Sequence, residues 1–202
     1  VCQGPRPLRG GARVIRDTAK LQGLLDGVRR FVREVAIPNE DRVEAEDRVP
    51  AEIVAEARRL GIFGWSIPEE YGGAGLTTEE LALAFIELSQ CSVAYRVHVG
   101  TNAGIGSEPL IQDGTEAQKQ AYLPRLAAGE ILGCLALTEP EAGSDAVALQ
   151  TTATATSDGH YLLNGAKRYI TLAPIADLFA VFARTDPADK SAAGVSAFMI
   201  ER

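Results

Sequence analysis

The periodicity of the apolar residues changes between Gly129 and Gly133, and no other feature limits the possible folds as strongly. Before this point, apolar residues recur every three or four positions, which is the spacing of amphipathic helices. After it, apolar residues alternate with polar ones or form short runs bounded by turn residues, as β-strands do. The sequence therefore predicts an α+β protein with an all-α domain over residues 17–130 and a β domain over residues 131–202.

Start and stop signals divide the α domain into helices. Thr77 with Glu80, and Thr115 with Gln118, stand at the spacing of capping boxes, which begin helices. Pro38 is expected to end the first helix because it lacks the amide that a continuing helix needs. The five predicted helices cover residues 17–35, 50–60, 77–88, 93–111 and 115–128.

The β domain is divided by two turn signals. Asp158-Gly159 and Asn164-Gly165 are both dipeptides that favour the tight turns of β-hairpins. The predicted strands cover residues 131–138, 150–156, 178–183 and 195–200, and a polar loop over residues 186–193 joins the last two.

Composition excludes several classes of protein. The net charge of −7 argues against non-specific binding to nucleic acid or to an anionic membrane. No apolar run is long enough to span a bilayer. The cysteines Cys2, Cys91 and Cys134 show no C-x-x-C spacing, so neither a metal site nor a redox pair is predicted, and a reducing compartment is expected.

The first residues are set apart from the fold. The chain begins with Val1 rather than Met, so it need not begin at a native start. Residues 1–16 are expected to be a disordered lead-in or an expression remnant, because Gly, Pro and Arg dominate their first part.

The stretch Leu135–Asp145 is the first candidate for a binding element. It begins as an apolar run and ends as a turn, because Pro140 fixes one backbone dihedral and Gly143 frees another. Hydroxyls, carboxylates and free backbone amides are thereby concentrated in one bend, which suits a polar ligand. The alternative interpretation is a surface hairpin with an acidic tip.

A second stretch, Leu163–Thr171, allows the first one to be interpreted. Its sequence LNGAKRYIT, together with TEPEAGSD at residues 138–145, resembles the acyl-CoA dehydrogenase family. That family has a TEP-x-AGSD turn followed by an NG-x-K-x-(aromatic)-IT strand. Residues 68–75 are similar to the family's P-x-x-YGG-x-G turn, for which a phosphate-binding glycine loop is the alternative. The resemblance extends from about Leu21 to the end of the chain.

The resemblance implies a fold and a reaction. It implies that the β domain is part of an antiparallel β-barrel, left incomplete here, and that a C-terminal helical domain carries the catalytic base. The reaction would be the FAD-dependent 2,3-dehydrogenation of an acyl-CoA thioester to the enoyl-CoA, within acyl-CoA catabolism. Residues 1–202 alone would then be inactive, would hold FAD weakly, and would contain no catalytic residue.

The resemblance also implies partners and a location. Family members are usually homotetramers or dimers, and an electron-transfer flavoprotein is the expected electron acceptor. The expected location is the cytoplasm, or the mitochondrial matrix in a eukaryote.

Individual residues are assigned by their match to the family motifs. Flavin contacts are expected from Leu135, Leu137, Thr138, Tyr169, Ile170 and Thr171. Ser144 would bind the CoA portion of the substrate. The family usually has Trp at the position of Tyr169 and Asn at that of Leu172. Without the paired motifs, purely structural roles would be favoured: Thr138 and Thr171 as strand residues, Tyr169 as a core residue and Ser144 as a turn residue.

Arg96 is a candidate for substrate specificity. It follows Tyr95, as in glutaryl-CoA dehydrogenases, where such an arginine binds the distal carboxylate of the substrate. However, Ser89 stands where those enzymes have an acidic residue, so a substrate without that carboxylate is the alternative.

Several charged residues and two other functions remain as alternatives. Glu139, Glu141 and Asp145 could form a carboxylate cluster for acid–base chemistry, although the resemblance argues against it. Lys167 and Arg168 are predicted to be surface charges at a strand end. The same scaffold could instead serve a non-catalytic acyl-CoA- or flavin-binding protein, or a flavin monooxygenase.

Overall fold

The computed structural model describes residues 15–202, and residues 1–14 of the predicted lead-in, with Cys2, lie outside them. The described chain forms two compact units. We call the one that ends at Leu132 the helical unit and Gly133–Arg202 the sheet unit, and each is described by itself.

The helical unit packs its helices around one apolar core. Among residues 15–132, the α-helices are α1 (Thr18–Arg30), α2 (Glu40–Glu46), α3 (Ala51–Arg59), α4 (Thr78–Leu88), α5 (Val93–Gly100), α6 (Glu108–Asp113) and α7 (Glu116–Ala127). Both predicted capping boxes are present, at the starts of α4 and α7. Trp65, Phe63 and Tyr95 are among the largest fully buried side chains. No helix in the described part of the chain is both long and apolar enough to cross a bilayer.

Pro38 does not end the first helix, contrary to the prediction. After α1 the chain widens into a π-helical turn over Phe31–Ala36, passes through a 3-10 turn over Ile37–Asn39 and continues as α2. The wide turn accommodates the proline, and the Asn39 side chain donates to the carbonyl of Val35 at 2.8 Å.

The predicted helix over residues 93–111 is also interrupted. It consists of α5 and α6, separated by turns in which the amides of Gly104 and Gly106 both donate to the carbonyl of Thr101. Glycine lowers helix stability, so the glycines favour a break here. Pro109 favours the first turn of a new helix, so α6 begins close to it.

The glycine cluster at residues 71–75 is used to fold the chain back on itself. The amides of Gly73, Ala74 and Gly75 donate to carbonyls of the same unit at 3.2, 2.9 and 2.8 Å. A Cβ at Gly73 would lie 1.9 Å from the carbonyl oxygen of Ile67. Because these amides are already bonded, they are not available to a phosphate, and the cluster has a structural role.

The sheet unit is built around a central strand. Its strands are β1 (Gly133–Ala136), β2 (Thr152–Ala155), β3 (Tyr161–Asn164), β4 (Leu178–Arg184) and β5 (Val195–Glu201). β4 pairs antiparallel with β5 along one edge and parallel with β1 along the other, where β2 joins it at Arg184. The sheet is therefore mixed rather than antiparallel throughout, unlike the predicted antiparallel barrel. The long connection from β1 to β4 permits the parallel pairing.

Only one of the two predicted hairpins exists. β2 and β3 pair antiparallel around Asp158-Gly159, and Gly159 has a φ of 84°. At Asn164-Gly165 the prediction is wrong, because β3 ends there and the chain continues in turns to β4. Gly165 is required for another reason, since a Cβ there would lie 2.3 Å from the hydroxyl of Thr151.

Candidate functional site

The two candidate binding elements meet in the sheet unit. β1 and β2 both lie along one edge of β4, so residues 137–151 leave that edge and return to it. Where they leave, the amide of Arg168 donates to the carbonyl of Thr138 at 2.8 Å. The Lys167 ammonium donates to the carbonyl of Leu137 at 3.0 Å and to Glu139 Oε1 at 2.8 Å. Two segments far apart in sequence are therefore joined by three hydrogen bonds.

Glu139 is the centre of this junction. Its carboxylate also accepts hydrogen bonds from the amides of Gln150 and Thr151. Burial by itself would raise the pKa of Glu139, but the hydrogen bonds from Lys167, Thr151 and Gln150 outweigh it and lower the pKa to about 2. Such a carboxylate stays ionised and fully occupied, so it is poorly suited to acid–base chemistry.

Lys167 is not the surface charge that the sequence predicted. Its side chain is 12% exposed and that of Glu139 is 3% exposed, so the two form a buried ion pair. Arg168, in contrast, is exposed as predicted. The sequence reasoning missed the pair although both residues belong to the quoted motifs. The signal was the one lysine of the second motif and, in the first motif, the carboxylate that stands nearest to the apolar strand.

The turn after Glu139 is tight and exposed. Glu139 and Ala142 exchange backbone hydrogen bonds of 2.9 and 3.3 Å, which places Pro140 and Glu141 at the tip. Glu141, Ser144 and Asp145 are exposed, whereas Glu139 is buried, so the acidic residues do not form one cluster. Across residues 15–202, no group of three or more His, Cys, Asp or Glu side chains is placed to hold a metal ion.

The second element is not a strand in its final part. Tyr169 and Leu172 have left-handed backbone angles, with φ values of 59° and 64°, and a turn follows them. Arg202 supports this turn by donating to the carbonyls of Ala173 and Ala176. Left-handed conformations cost energy for residues with large side chains and persist only where the surroundings hold them, which is frequent at binding sites.

Tyr169 projects a large aromatic surface into solvent. It is 78% exposed, and the Arg168 guanidinium lies 4.6 Å from the centre of its ring, in a cation–π contact. Because its ring is exposed, Tyr169 is suited to stacking against a planar ligand.

The other predicted contact residues are accessible from solvent. Leu135, Leu137, Thr138 and Ile170 are half-buried, and Thr171 is exposed. The hydroxyls of Thr138 and Thr171 have no hydrogen-bond partner among the described residues, and both can therefore bond a ligand.

Arg96 lies in the helical unit, in α5. It is exposed, and its guanidinium lies 5.5 Å from the centre of the Phe85 ring. No carboxylate within residues 15–202 pairs with it, so its charge is available to an anion. The preceding Tyr95 is buried and donates its hydroxyl to the carbonyl of Ala36 at 2.9 Å, which fixes this part of α5.

The two cysteines that the structure describes are free thiols, as the sequence predicted. Cys91 is half-buried and Cys134 is buried. Burial raises the pKa of each thiol to about 11, so both stay protonated and unreactive near neutral pH.

Comparison with known proteins identifies relatives over nearly the whole described chain. Residues 18–130 match the family model "Acyl-CoA dehydrogenase, N-terminal domain", and residues 134–202 match "Acyl-CoA dehydrogenase, middle domain". An acyl-CoA dehydrogenase of Bacillus subtilis is 41% identical over 175 residues, which are 87% of this chain and 46% of that protein. The chain therefore spans about half the length of this curated relative.

Two solved structures show how close the folds are. One is a glutaryl-coenzyme A dehydrogenase in complex with glutaryl-CoA, with a TM-score of 0.84 and 38% identity over 92% of this chain and 47% of that chain. The other is an acyl-CoA dehydrogenase from Bacillus anthracis complexed with FAD, with a TM-score of 0.79 and 35% identity over 92% of this chain and 31% of that chain.

Proposed function

Because this chain belongs to the acyl-CoA dehydrogenase family, we propose that the protein containing it oxidises an acyl-CoA thioester to the 2,3-enoyl-CoA with FAD as cofactor. The observation that carries the proposal is the junction of the two motif segments, in which the amide of Arg168 bonds the carbonyl of Thr138 at 2.8 Å. The FAD supplies the acceptor for the hydride that leaves the acyl chain. Its presence in a solved relative supports this choice of cofactor.

The accessible residues fit a flavin. The hydroxyls of Thr138 and Thr171 can donate or accept a hydrogen bond without a change of charge, which suits a ring that is reduced and reoxidised. Tyr169 would cover part of the ring with its aromatic face. The apolar side chains that would pack along the ring are Leu135, Leu137 and Ile170.

Two residues are assigned to the substrate, each on its own evidence. Ser144, exposed after the tight turn, would bond the CoA portion of the substrate. Arg96 would bind the distal carboxylate if the substrate is a dicarboxylic acyl-CoA, because its guanidinium is exposed and unpaired with any carboxylate in the described chain. Similarity to a solved glutaryl-CoA complex supports a dicarboxylic acyl-CoA as the substrate.

The base that removes the α-proton is not assigned to these residues. Glu139 is buried and held by three donors, and the resemblance assigns the base to a C-terminal helical domain. An electron-transfer flavoprotein as acceptor and assembly into a homo-oligomer belong to the same proposal for the whole protein.

The direct test uses the full-length protein with acyl-CoAs of several chain lengths under argon. We expect loss of the flavin absorbance band when the matching acyl-CoA is added. Retention of FAD without bleaching by any acyl-CoA would favour a non-catalytic binding protein. Oxygen consumption with a substrate that is not a CoA ester would favour a monooxygenase.

Two substitutions test the assigned contacts. Thr171→Val should weaken flavin retention and slow flavin reduction, whereas Thr154→Val, at an exposed threonine of β2, should change neither. Arg96→Met should raise the KM for glutaryl-CoA and leave that for butyryl-CoA unchanged if the distal carboxylate is recognised. Equal effects on both substrates would remove Arg96 from the specificity site.

A further inference from the structure

The buried pair Lys167–Glu139 connects more of the sheet unit than one ion pair normally does. The ammonium of Lys167 bonds the carbonyl of Leu137 as well as the carboxylate. The carboxylate in turn bonds the amides of Gln150 and Thr151. Residues 137–151 leave the edge of β4 and return to it. The pair thus fixes the start of this segment, its end and the second motif segment to one another.

The pair lies next to both proposed flavin-contact segments. Leu137, whose carbonyl binds Lys167, directly precedes Thr138, and Lys167 lies two positions before Tyr169. The intervening Arg168 adds its own amide bond to Thr138. Any shift of the Lys167 backbone is therefore transmitted to Tyr169 and Thr171 through a single short segment.

We propose that Lys167 and Glu139 are a positioning pair that sets the spacing of Thr138 and the segment Tyr169–Thr171, and thereby the geometry in which the protein holds the isoalloxazine ring. This inference rests on the proposed function. Neither residue touches the reacting atoms in this role.

Stability alone is a poor reason for this pair. Replacing a buried ion pair by apolar side chains of similar size is often neutral or stabilising, whereas an ion pair imposes directions through its hydrogen bonds. Direction is needed here, because the segment Tyr169–Leu172, which begins two positions after Lys167, has a left-handed residue at each end. Arg202 holds the downstream side of this segment, and the pair holds the upstream side.

The test uses the full-length holoenzyme and two lysine variants. Lys167→Met keeps the length of the side chain but removes its donors. We expect the Kd for FAD to rise about 10- to 100-fold, the range found when a residue that orients the direct ligands of a metal site is removed, and the reduction potential and absorption spectrum of the bound flavin to shift. The matched control is Lys190→Met, at an exposed lysine of the same unit, which should leave all three readouts at their wild-type values.

The outcomes separate a positioning role from a structural one. A Lys167→Met protein with a lower melting temperature but a wild-type Kd, potential and spectrum would overturn the proposal. If Lys167→Met does not fold, Lys167→Arg decides, because the guanidinium keeps the charge but changes the donor geometry. We then expect a smaller rise in Kd and a smaller spectral shift in the same direction, and wild-type values would overturn the proposal.

Failure of the proposed function would look different. In that case wild-type protein itself would bind no FAD, or its flavin would not be bleached by any acyl-CoA. Absence of FAD binding in the wild type overturns both proposals together, whereas unchanged flavin properties in Lys167→Met overturn only the positioning role.

Discussion

The two units each contain a buried glutamate that collects backbone amides, but they build its surroundings from different parts of the sequence. In the helical unit, Glu80 accepts from the amides of Thr77 and Arg16 at 2.9 and 2.8 Å. Its carboxylate also pairs with the Arg16 guanidinium at 3.3 Å, and the Arg16 side chain is 46% exposed. In the sheet unit, Glu139 is paired with Lys167, which is 12% exposed and 28 positions away in sequence.

This difference shows how each unit is specified. Glu80 belongs to a capping box, so a residue three positions away fixes its role and the helix α4 follows from local sequence. The role of Glu139 depends on contacts that exist only once the sheet has formed. Burial would raise the pKa of both carboxyls, yet hydrogen bonds from their neighbours leave both values lowered, and that of Glu139 reaches about 2.

The largest expected effect is the loss of stability when the cation that pairs with each glutamate is removed. Lys167→Met should destabilise the sheet unit by about 3–5 kcal/mol, because it leaves the buried carboxylate of Glu139 unpaired. Arg16→Met should cost the helical unit at most about 1 kcal/mol, since the guanidinium of Arg16 is half exposed.

Urea unfolding can separate the two units. Fluorescence of Trp65, the one tryptophan of the chain, follows the helical unit, and NMR signals of the β4 amides follow the sheet unit. Equal losses of stability in the two variants would show that the glutamates are not held differently.

The second largest effect is the dependence of stability on pH. The pKa of Glu139 is lowered from 4.5 to about 2 in the folded protein, so the unfolded chain takes up this proton more readily. The stabilisation is therefore complete above about pH 4.5 and is lost as the pH falls towards 2, by about 3 kcal/mol in total.

Urea midpoints of the β4 amide signals, measured between about pH 6 and about pH 2, should fall as the pH falls, because this range includes both pKa values of Glu139. Glu139→Gln should abolish most of this fall. Glu80→Gln should change the slope of the Trp65 transition less, and a larger change there would reverse the ranking of the two glutamates.

A smaller loss of stability is expected from a substitution at Gly165, which packs against a residue bonded to Glu139. A Cβ at Gly165 would lie 2.3 Å from the hydroxyl of Thr151, whose amide binds Glu139, so Gly165→Ala should destabilise the sheet unit by about 1–3 kcal/mol. Gly143→Ala is the matched control, because nothing lies within 4 Å of a Cβ at that position. Comparable melting temperatures for the two variants would mean that Thr151 yields without cost.

The fold was predictable wherever local chemistry decides the structure. The capping boxes at Thr77 and Thr115 and the hairpin turn at Asp158-Gly159 were predicted correctly. At Pro38 and at Asn164-Gly165, a local signal is overridden by structure that the local sequence does not show. A π-helical turn admits the proline, and Thr151 requires the glycine.

The candidate site was predictable only as two separate motifs. Their sequence indicates which residues belong together, but spacing along the chain does not reveal that Lys167 reaches Leu137 and Glu139. The parallel pairing of β1 with β4 was missed for the same reason, because it depends on the path of the intervening residues. The proposed flavin contacts themselves remain a prediction.

The smallest expected effect concerns the left-handed residues, where the units differ again. The helical unit places Asp47, which tolerates this conformation, at a φ of 50°, whereas the sheet unit places Leu172 at 64°. Leu172→Asn should therefore stabilise the sheet unit by up to about 1 kcal/mol, because asparagine adopts left-handed angles more readily than leucine.

Ile170→Asn is the control for this substitution. Ile170 is half-buried like Leu172 but lacks a left-handed backbone, so the same change there should destabilise the unit. A loss of stability in both variants would show that the apolar contacts of Leu172 outweigh its backbone strain. The strained segment would then be held by its side chains more than by the bonds from Lys167 and Arg202.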